Sequence, residues 1–363
     1  MVLDAPTQAS ASIFEQVAEF QHEQVVYCHD HETGLKAIIG IHNTVLGPAL
    51  GGTRLWHYAT EAEALHDVLR LSRGMTYKAA ISGLNLGGGK AVIIGDIKNK
   101  NEALLRKFGR FVNNLNGKYI TAEDVNMTTK DMEYIRMETK HVAGLPESMG
   151  GSGDPSPVTA FGTYMGMKAA AKKAFGSDSL AGKRVAVQGV GHVGTYLLEY
   201  LQKEGADLVL TDYYEERAYA AASRFGARAV GLDEIYDQDV DIYAPCALGA
   251  TINDDTIGRL KCRVIAGSAN NQLENENEHG PELVRRGIVY APDFLINAGG
   301  LINVYAEITG SSREGALTQT EKIYDYTLQV LDKAEQENSH PQAAAIRQAQ
   351  ERIAAVGKVK STY

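Results

Sequence analysis

Residues 182–212, GKRVAVQGVGHVGTYLLEYLQKEGADLVLTD, constrain the fold more tightly than any other stretch of this chain. VAVQ reads as a short buried strand, after which Gly189, Gly191 and Gly194 supply a GxGxxG turn. Val193, Tyr196, Leu197 and Leu201 follow at helical spacing, and DLVLTD is a second strand running to Asp212, 21 residues after Gly191. Strand, glycine turn, helix and strand in that order make a βαβ unit of the kind that binds dinucleotides. Gly189 allows the tight turn, Gly191 lets backbone approach a pyrophosphate, and Gly194 lets helix and sheet pack closely. The unpaired N–H groups opening the helix, at His192 and Val193, then point at phosphate oxygens. Asp212 would accept hydrogen bonds from the adenosine ribose and repel a 2′-phosphate, which favours NAD over NADP. Arg217, the nearest basic residue, is the group that could oppose this. FAD uses the same fingerprint, though usually at a chain's N-terminus, whereas about 180 residues precede it here. The fingerprint identifies a cofactor, not a reaction.

The rest of the chain alternates in the same manner. Ile13, Phe14, Val17, Ala18 and Phe20 fall at roughly helical spacing, QVVYC and LKAIIGIH (35–42) read as strands, and GPALGGTR reads as the turn after them. The periodicity predicts a helix over about 61–80, an apolar strand AVIIGD (91–96), an amphipathic helix in NEALLRKFGRFVNNLNG, and a strand KYITAEDV (118–125) running out into a polar loop. SMGGSGDPSP (148–157), rich in glycine and proline, is a plausible hinge or domain boundary. A long helix follows it, and 318–356 is again helical, with Pro341 suited to an early helix position. With 363 residues, two domains are expected, because single cores stop growing near ~250–300 residues. The expected architecture is α/β: a first domain over 1–148, a Rossmann-type dinucleotide-binding domain over 149–331, and a C-terminal helix at about 332–363 that packs on the second domain or returns to the first.

Composition removes several function classes. Thirty-six basic and 45 acidic residues leave a net charge of −9, a poor balance for wrapping nucleic acid or lying on an anionic membrane. No apolar run reaches the ~18–20 residues of a membrane-spanning helix, and MVLDAPTQASAS lacks the basic head and apolar run of a secretory signal. The default compartment is therefore the cytoplasm. Cys28, Cys246 and Cys262 form no CxxC pair, which argues against a disulfide framework or a cysteine-rich zinc site. The ten histidines include no HExxH, so no catalytic metal is expected. NENEHG (275–280) reads as an exposed acidic turn. Glycine is the outlier at 37 residues, and the five places where it clumps suit either an enzyme cleft or five ordinary tight loops, which the count alone does not separate.

Chemistry must come from outside the fingerprint. Lys78 lies in an apolar stretch near a helix end, and Lys90 stands between three glycines and an apolar strand. Lysine is seldom buried unless paired, and desolvation or a neighbouring cation moves its pKa toward the range useful for a general base. That both snorkel to solvent stays open on spacing alone. Asp124, at the C-terminal end of a strand where α/β sheets bind ligands, is a candidate proton-exchanging acid. An N-cap or turn role is its alternative, and Glu123 is the competing carboxylate.

Seven blocks carry a family likeness in one order: LGPALGGTR (46–54), RGMTYKAAISGLNLGGGKAVIIGD (73–96), YITAEDV (119–125), VQGVGHVG (187–194), DIYAPCALGA (241–250), IAGSANNQL (265–273) and YAPDFLINAGGLINV (290–304). They resemble the glutamate/leucine/phenylalanine/valine dehydrogenase family over almost the whole chain. The resemblance implies a substrate and oligomerisation domain followed by the NAD-binding domain, with the active site in a cleft that closes over substrate. It implies that Lys78 binds the substrate α-carboxylate, that Lys90 activates water and stabilises carbinolamine intermediates, and that Asp124 exchanges protons with the amino nitrogen. Gly51 and Gly52 would line the substrate pocket, with Asn270 near both substrate and nicotinamide. Thr159, Cys246, Ala247 and Asn297 would join the cofactor side. The implied reaction is reversible oxidative deamination to a 2-oxo acid and ammonia by a homo-oligomer, an octamer rather than a dimer.

The resemblance further implies that Leu50–Gly51–Gly52, which matches the position where glutamate enzymes carry a cation, disfavours an acidic substrate by its lack of charge. It also implies that Ala122, Leu301 and Val304 match the apolar wall for a branched aliphatic side chain. Leucine is expected first, with valine and isoleucine also used, since one methylene is worth only about 1–3 kcal/mol. Leu301 is larger than the valine common in leucine enzymes, and Asn126 stands where glycine is frequent. An aromatic substrate is the alternative within the family. A catalytically silent NAD sensor is the alternative outside it.

Overall fold

The computed structural model describes residues 12–360, so MVLDAPTQASA at the start and the last three residues lie outside the described residues. Within that range the chain divides into two compact units. One takes Gly153 and the residues before it, with Val304–Gly310 and the chain from Ala349. The other takes Asp154–Asn303 and Ser311–Gln348.

The first unit opens with helix α1 (Ile13–Glu19) and carries strands β1 (Gln24–Asp30), β2 (Leu35–Asn43), β3 (Ala49–Trp56), β4 (Gly87–Ile94) and β5 (Tyr119–Glu123). They form one mixed sheet in the order β1-β2-β4-β3-β5, in which β3 runs parallel to both β4 and β5. Helices α2 (Glu61–Ile81), α3 (Glu102–Asn114) and α4 (Thr129–Arg136) cover it. Alternation along each strand divides the core. Ile38 and Val92 meet Leu65, Val68 and Leu69 of α2 on one face, while Ile39, Ile41, Ala91 and Ile93 meet Phe108 and Val112 of α3 and Met132 and Ile135 of α4 on the other.

Two sequence expectations change here. GPALGGTR is not a turn: Ala49–Trp56 is a central strand, because it pairs on both sides and its glycines let neighbouring backbone come unusually near. A Cβ on Gly51 would lie 1.6 Å from the Gly89 carbonyl oxygen, and one on Gly52 would lie 2.3 Å from that of Glu123. The strand read at 91–96 begins four residues earlier, at Gly87, and so includes Lys90.

The second unit begins with α5 (Ser156–Phe175), followed by β6 (Arg184–Gln188), α6 (His192–Glu204), β7 (Asp207–Thr211), α7 (Glu215–Phe225), β8 (Arg228–Ala229) and β9 (Ile242–Pro245). Then come α8 (Asp254–Ile257), β10 (Val264–Ile265), α9 (Glu276–Arg285), β11 (Val289–Tyr290) and α10 (Asp293–Ile296). The six strands form an all-parallel sheet ordered β11-β10-β9-β6-β7-β8. Strand order reverses between β6 and β9, the switch point at which such sheets bind ligands.

NENEHG is another correction. Asn275 caps α9 and the following residues form its first turn, with His279 buried rather than on an exposed turn. The C-terminal helical region is α11 (Gly299–Thr309), α12 (Arg313–Glu321), α13 (Ile323–Gln336) and α14 (Pro341–Lys360), with Pro341 the first residue of its helix. On α14, Arg352 donates to the Ala80 and Leu84 carbonyls at the end of α2, at 2.9 and 2.8 Å.

Candidate active site

Parallel pairing brings the ends of β3, β4 and β5 to one edge of the first sheet. Thr53 lies opposite both Ala91 and Glu123, which puts Arg54 beside Val92 and close to Asp124, just past the end of β5. Lys90 points to the same face as Val92, the face covered by α2. It is buried at 7% exposure, and its Nζ lies 2.9 Å from Asp124 Oδ2. The structure thus unites Lys90 and Asp124 as a partly desolvated ion pair, and Lys90 does not snorkel. Burial alone would raise the Asp124 carboxyl pKa, but Lys90 and Arg54 together hold it below the usual carboxylate range.

Gly51, Gly52 and Ala122 lie on neighbouring strands beside this pair, with Gly52 level with Ala122. The fully buried Tyr119 donates its hydroxyl to the Gly51 carbonyl at 2.6 Å, which fixes that backbone. Lys78 sits in the last turn of α2, whose preceding turns pack directly on β4: a Cβ on Gly88 would come within 2.1 Å of Thr76 Oγ1. Glu123, the competing acid, ends β5 and has none of these partners among the described residues. Asn126 takes a left-handed φ of +61°, where glycine is easiest and asparagine is tolerated, and its Nδ2 donates to the Leu55 carbonyl. The departure from glycine at this position is thus locally accommodated.

Sequence reasoning missed Arg54 and Asp67. Arg54 is 8% exposed and bridges two carboxylates, with Nε 3.0 Å from Asp124 Oδ2 and Nη1 3.0 Å from Asp67 Oδ2. Asp67 also accepts from the Tyr58 hydroxyl at 2.7 Å and pairs with Arg70 at 3.2 Å. The available signal was an arginine inside an otherwise small and apolar strand. Its partner Asp67 gave none, because it sits among ordinary charged positions of α2.

In the second unit the glycines fit a dinucleotide. Gly189 has φ +100°, and a Cβ there would meet Ala247 at 2.7 Å; a Cβ on Gly194 would lie 2.1 Å from the Gly189 carbonyl oxygen. Gly191 faces open space and caps α6 with no side-chain hydrogen bond, leaving the helix start at His192 and Val193 for an anion. Asp212 follows β7 and accepts from the Val190 and Tyr214 N–H groups at 2.9 and 3.0 Å, tying this acid to the glycine turn. Arg217 lies 3.6 Å from Asp212 and stacks over Tyr214.

Thr159 stands in the first turn of α5, beside Gly300. Asn297 donates to Asn270 Oδ1 at 2.8 Å, so these two form one polar pair. Cys246 follows β9 next to Ala247, and burial pushes its thiol pKa up, which suits packing rather than nucleophilic work. Leu301 is buried on α11 in this unit, and Val304, on the same helix, belongs to the first. Among the described residues no cluster of His, Cys, Asp or Glu could hold a metal, and no helix is long and apolar enough to cross a membrane.

Residues 22–141 match the family model for the Glu/Leu/Phe/Val dehydrogenase dimerisation domain, and 150–212 and 210–360 match that of glutamate/leucine/phenylalanine/valine dehydrogenase. The chain is 58% identical to a leucine dehydrogenase of Thermoactinomyces intermedius, covering 97% of this chain and 96% of that protein. It is 56% identical to a leucine dehydrogenase of Geobacillus stearothermophilus, with the same coverage. The crystal structure of L-tryptophan dehydrogenase from Nostoc punctiforme superimposes with a TM-score of 0.88 at 47% identity, over 96% of this chain and 100% of that one. These matches span both units, and the chain belongs to the glutamate/leucine/phenylalanine/valine dehydrogenase family.

Proposed function

We propose that this chain is an NAD-dependent L-amino acid dehydrogenase that prefers leucine, also takes valine and isoleucine, and reversibly converts them to the 2-oxo acid and ammonia. The observation that carries the chemistry is the buried Lys90–Asp124 pair at the strand ends of the first sheet. High identity to leucine dehydrogenases over nearly the whole chain supports the substrate class. Leu50, Gly51 and Gly52 are buried and uncharged, so an acidic side chain would find no cation there. Asp212, held against the glycine turn, supports NAD over NADP within a family of NAD(P)-dependent enzymes.

When bound, the nicotinamide supplies the acceptor for the hydride leaving Cα. Lys78 pairs with the α-carboxylate. Lys90, as the free amine, takes a proton from water as the water oxygen attacks the resulting iminium carbon, and the ammonium so formed stabilises the carbinolamine. Asp124 takes a proton from the amino nitrogen and returns it as ammonia departs. Gly51 and Gly52 keep backbone rather than side chain against the substrate, while Ala122, Leu301 and Val304 line its aliphatic end. Thr159, Asn270, Asn297, Cys246 and Ala247 would lie along the cofactor. The working form expected is a homo-oligomer, an octamer rather than a dimer.

The test is NADH formation across leucine, valine, isoleucine, phenylalanine, tryptophan and glutamate, repeated with NADP. The highest kcat/KM should fall on leucine or its branched relatives with NAD. An aromatic winner would keep the lysine–aspartate chemistry and overturn the pocket assignment. Silence across the panel with NAD still binding would favour the sensor alternative.

A further inference from the structure

The two cations on Asp124 address the same oxygen. Lys90 Nζ and Arg54 Nε lie 2.9 and 3.0 Å from Oδ2, and among the described residues nothing bonds Oδ1. The side chain is 22% exposed, so this second oxygen is not sealed in the core. Arg54 cannot swing away, because its Nη1 is held by Asp67 Oδ2, which also takes the Tyr58 hydroxyl. Asp67 is in turn paired through Oδ1 with Arg70. Positive and negative groups therefore alternate from Lys90 through Asp124, Arg54 and Asp67 to Arg70, and Arg54 and Asp67 are nearly excluded from water.

This order has a consequence for proton exchange. When Asp124 takes up a proton its charge disappears, and a buried arginine with no second carboxylate would be left uncompensated at a high cost. With Asp67 on its other side, Arg54 keeps an anionic partner in both protonation states of Asp124. We propose that Arg54, clamped by Asp67, is a positioning residue that commits Oδ2 of Asp124 to Lys90 and leaves Oδ1 as the oxygen that exchanges the proton with the substrate nitrogen. One N–H bond of the substrate breaks as the Oδ1–H bond forms, and the reverse occurs when nitrogen leaves as ammonia. No electrons move on the protein. This inference rests on the dehydrogenase reading above.

The groups facing Asp124 are Arg54 on β3 and Lys90 on β4, with Tyr119 on β5 as a buried neutral hydroxyl and Asp67, Tyr58 and Arg70 one step further out. Opposite changes in this set should therefore move Asp124 in opposite directions. Removing a cation with Arg54→Met should move the acidic limb of the kcat–pH profile upward and lower kcat by about 100-fold, the cost of a misplaced reacting group. Removing the competing anion with Asp67→Asn frees Arg54 for Asp124 and should move that limb downward. Arg54→Lys restores a charge that reaches only one carboxylate, so its limb should fall between Arg54→Met and wild type.

The experiment is the kcat–pH profile of the full-length enzyme and these variants with NAD and leucine, with KM for NAD as the control that the nucleotide site is intact. Opposite limb shifts for the Arg54 and Asp67 variants at unchanged NAD KM support the role. If Arg54→Met does not fold, Arg54→Lys against Asp67→Asn carries the same comparison. Coincident profiles, or limbs that move the same way, overturn it. A wild-type enzyme that oxidises none of the amino acids would instead overturn the functional reading, a result visible before any variant is compared.

Discussion

At the scale of single residues, the site depends on charges being scarce and paired. Lys90 is buried, and its carboxylate partner among the described residues is Asp124. Lys90→Ala should remove turnover, by about 1,000-fold or more, because both the proposed water-activating group and one of the two cations on Asp124 are lost. Binding of NAD should be unaffected, which fluorescence titration of NADH checks. Lys78→Ala should act mainly through the KM for the amino acid, since its proposed role is a contact with a group present in substrate and transition state alike. The two lysines and Asp124 were legible in the sequence as charged residues set into apolar or glycine-rich surroundings. Arg54 and Asp67 were not, because an ion pair between residues 13 positions apart becomes visible only once β3 and α2 are packed together.

At the scale of elements, β3 shows how glycine pattern can mislead. A run of glycines near a proline reads as a turn, yet here it lets three parallel strands crowd together. Gly51→Ala places a Cβ against the Gly89 carbonyl, which is backbone and cannot rotate aside, so a loss of about 3 kcal/mol is expected. Gly74→Ala is the contrasting case, since Gly74 lies in α2 and an alanine methyl there would meet nothing within 4 Å. It should stabilise by about 0.5–1 kcal/mol through helix propensity. Urea midpoints of both variants test the pair, and equal effects would contradict the packing described. The βαβ fingerprint, by contrast, was readable in full, because every requirement it places on the chain is local.

At the scale of the whole molecule, the first unit contains a buried histidine pair that should make stability depend on pH. His22 and His42 sit edge to face with centroids 4.9 Å apart, and their rings bond Ser72 and Thr76 of α2 at 2.6 and 2.7 Å. Burial first, then the neighbouring His42 and Arg73 charges, lowers His22 to about 3; burial first, then Arg73, lowers His42 to about 4. Above their ordinary value of 6.5 both are neutral in folded and unfolded chains, and no dependence arises. Below 6.5 the unfolded chain takes up protons that the folded chain refuses, so stability falls as pH falls, by up to about 1.4 kcal/mol per pH unit for each ring. Denaturant unfolding from neutral to mildly acidic pH should show this slope, and a His22→Gln/His42→Gln double variant should flatten it.

The sequence by itself determined the alternation of strands and helices, the dinucleotide fingerprint, and the lysines and aspartate to which the proposed chemistry is assigned. Each of these is carried by residues within one or two turns or strands of each other, where spacing and side-chain type are enough. Only the tertiary structure decided that Ala49–Trp56 is a strand, that Lys90 and Asp124 are ion-paired, and that Arg54 and Asp67 stand behind them. The physical reason is that strand pairing and charge compensation join segments far apart in the chain. The buried Arg54 is compensated by two carboxylates that arrive from other elements, and no local pattern records their arrival.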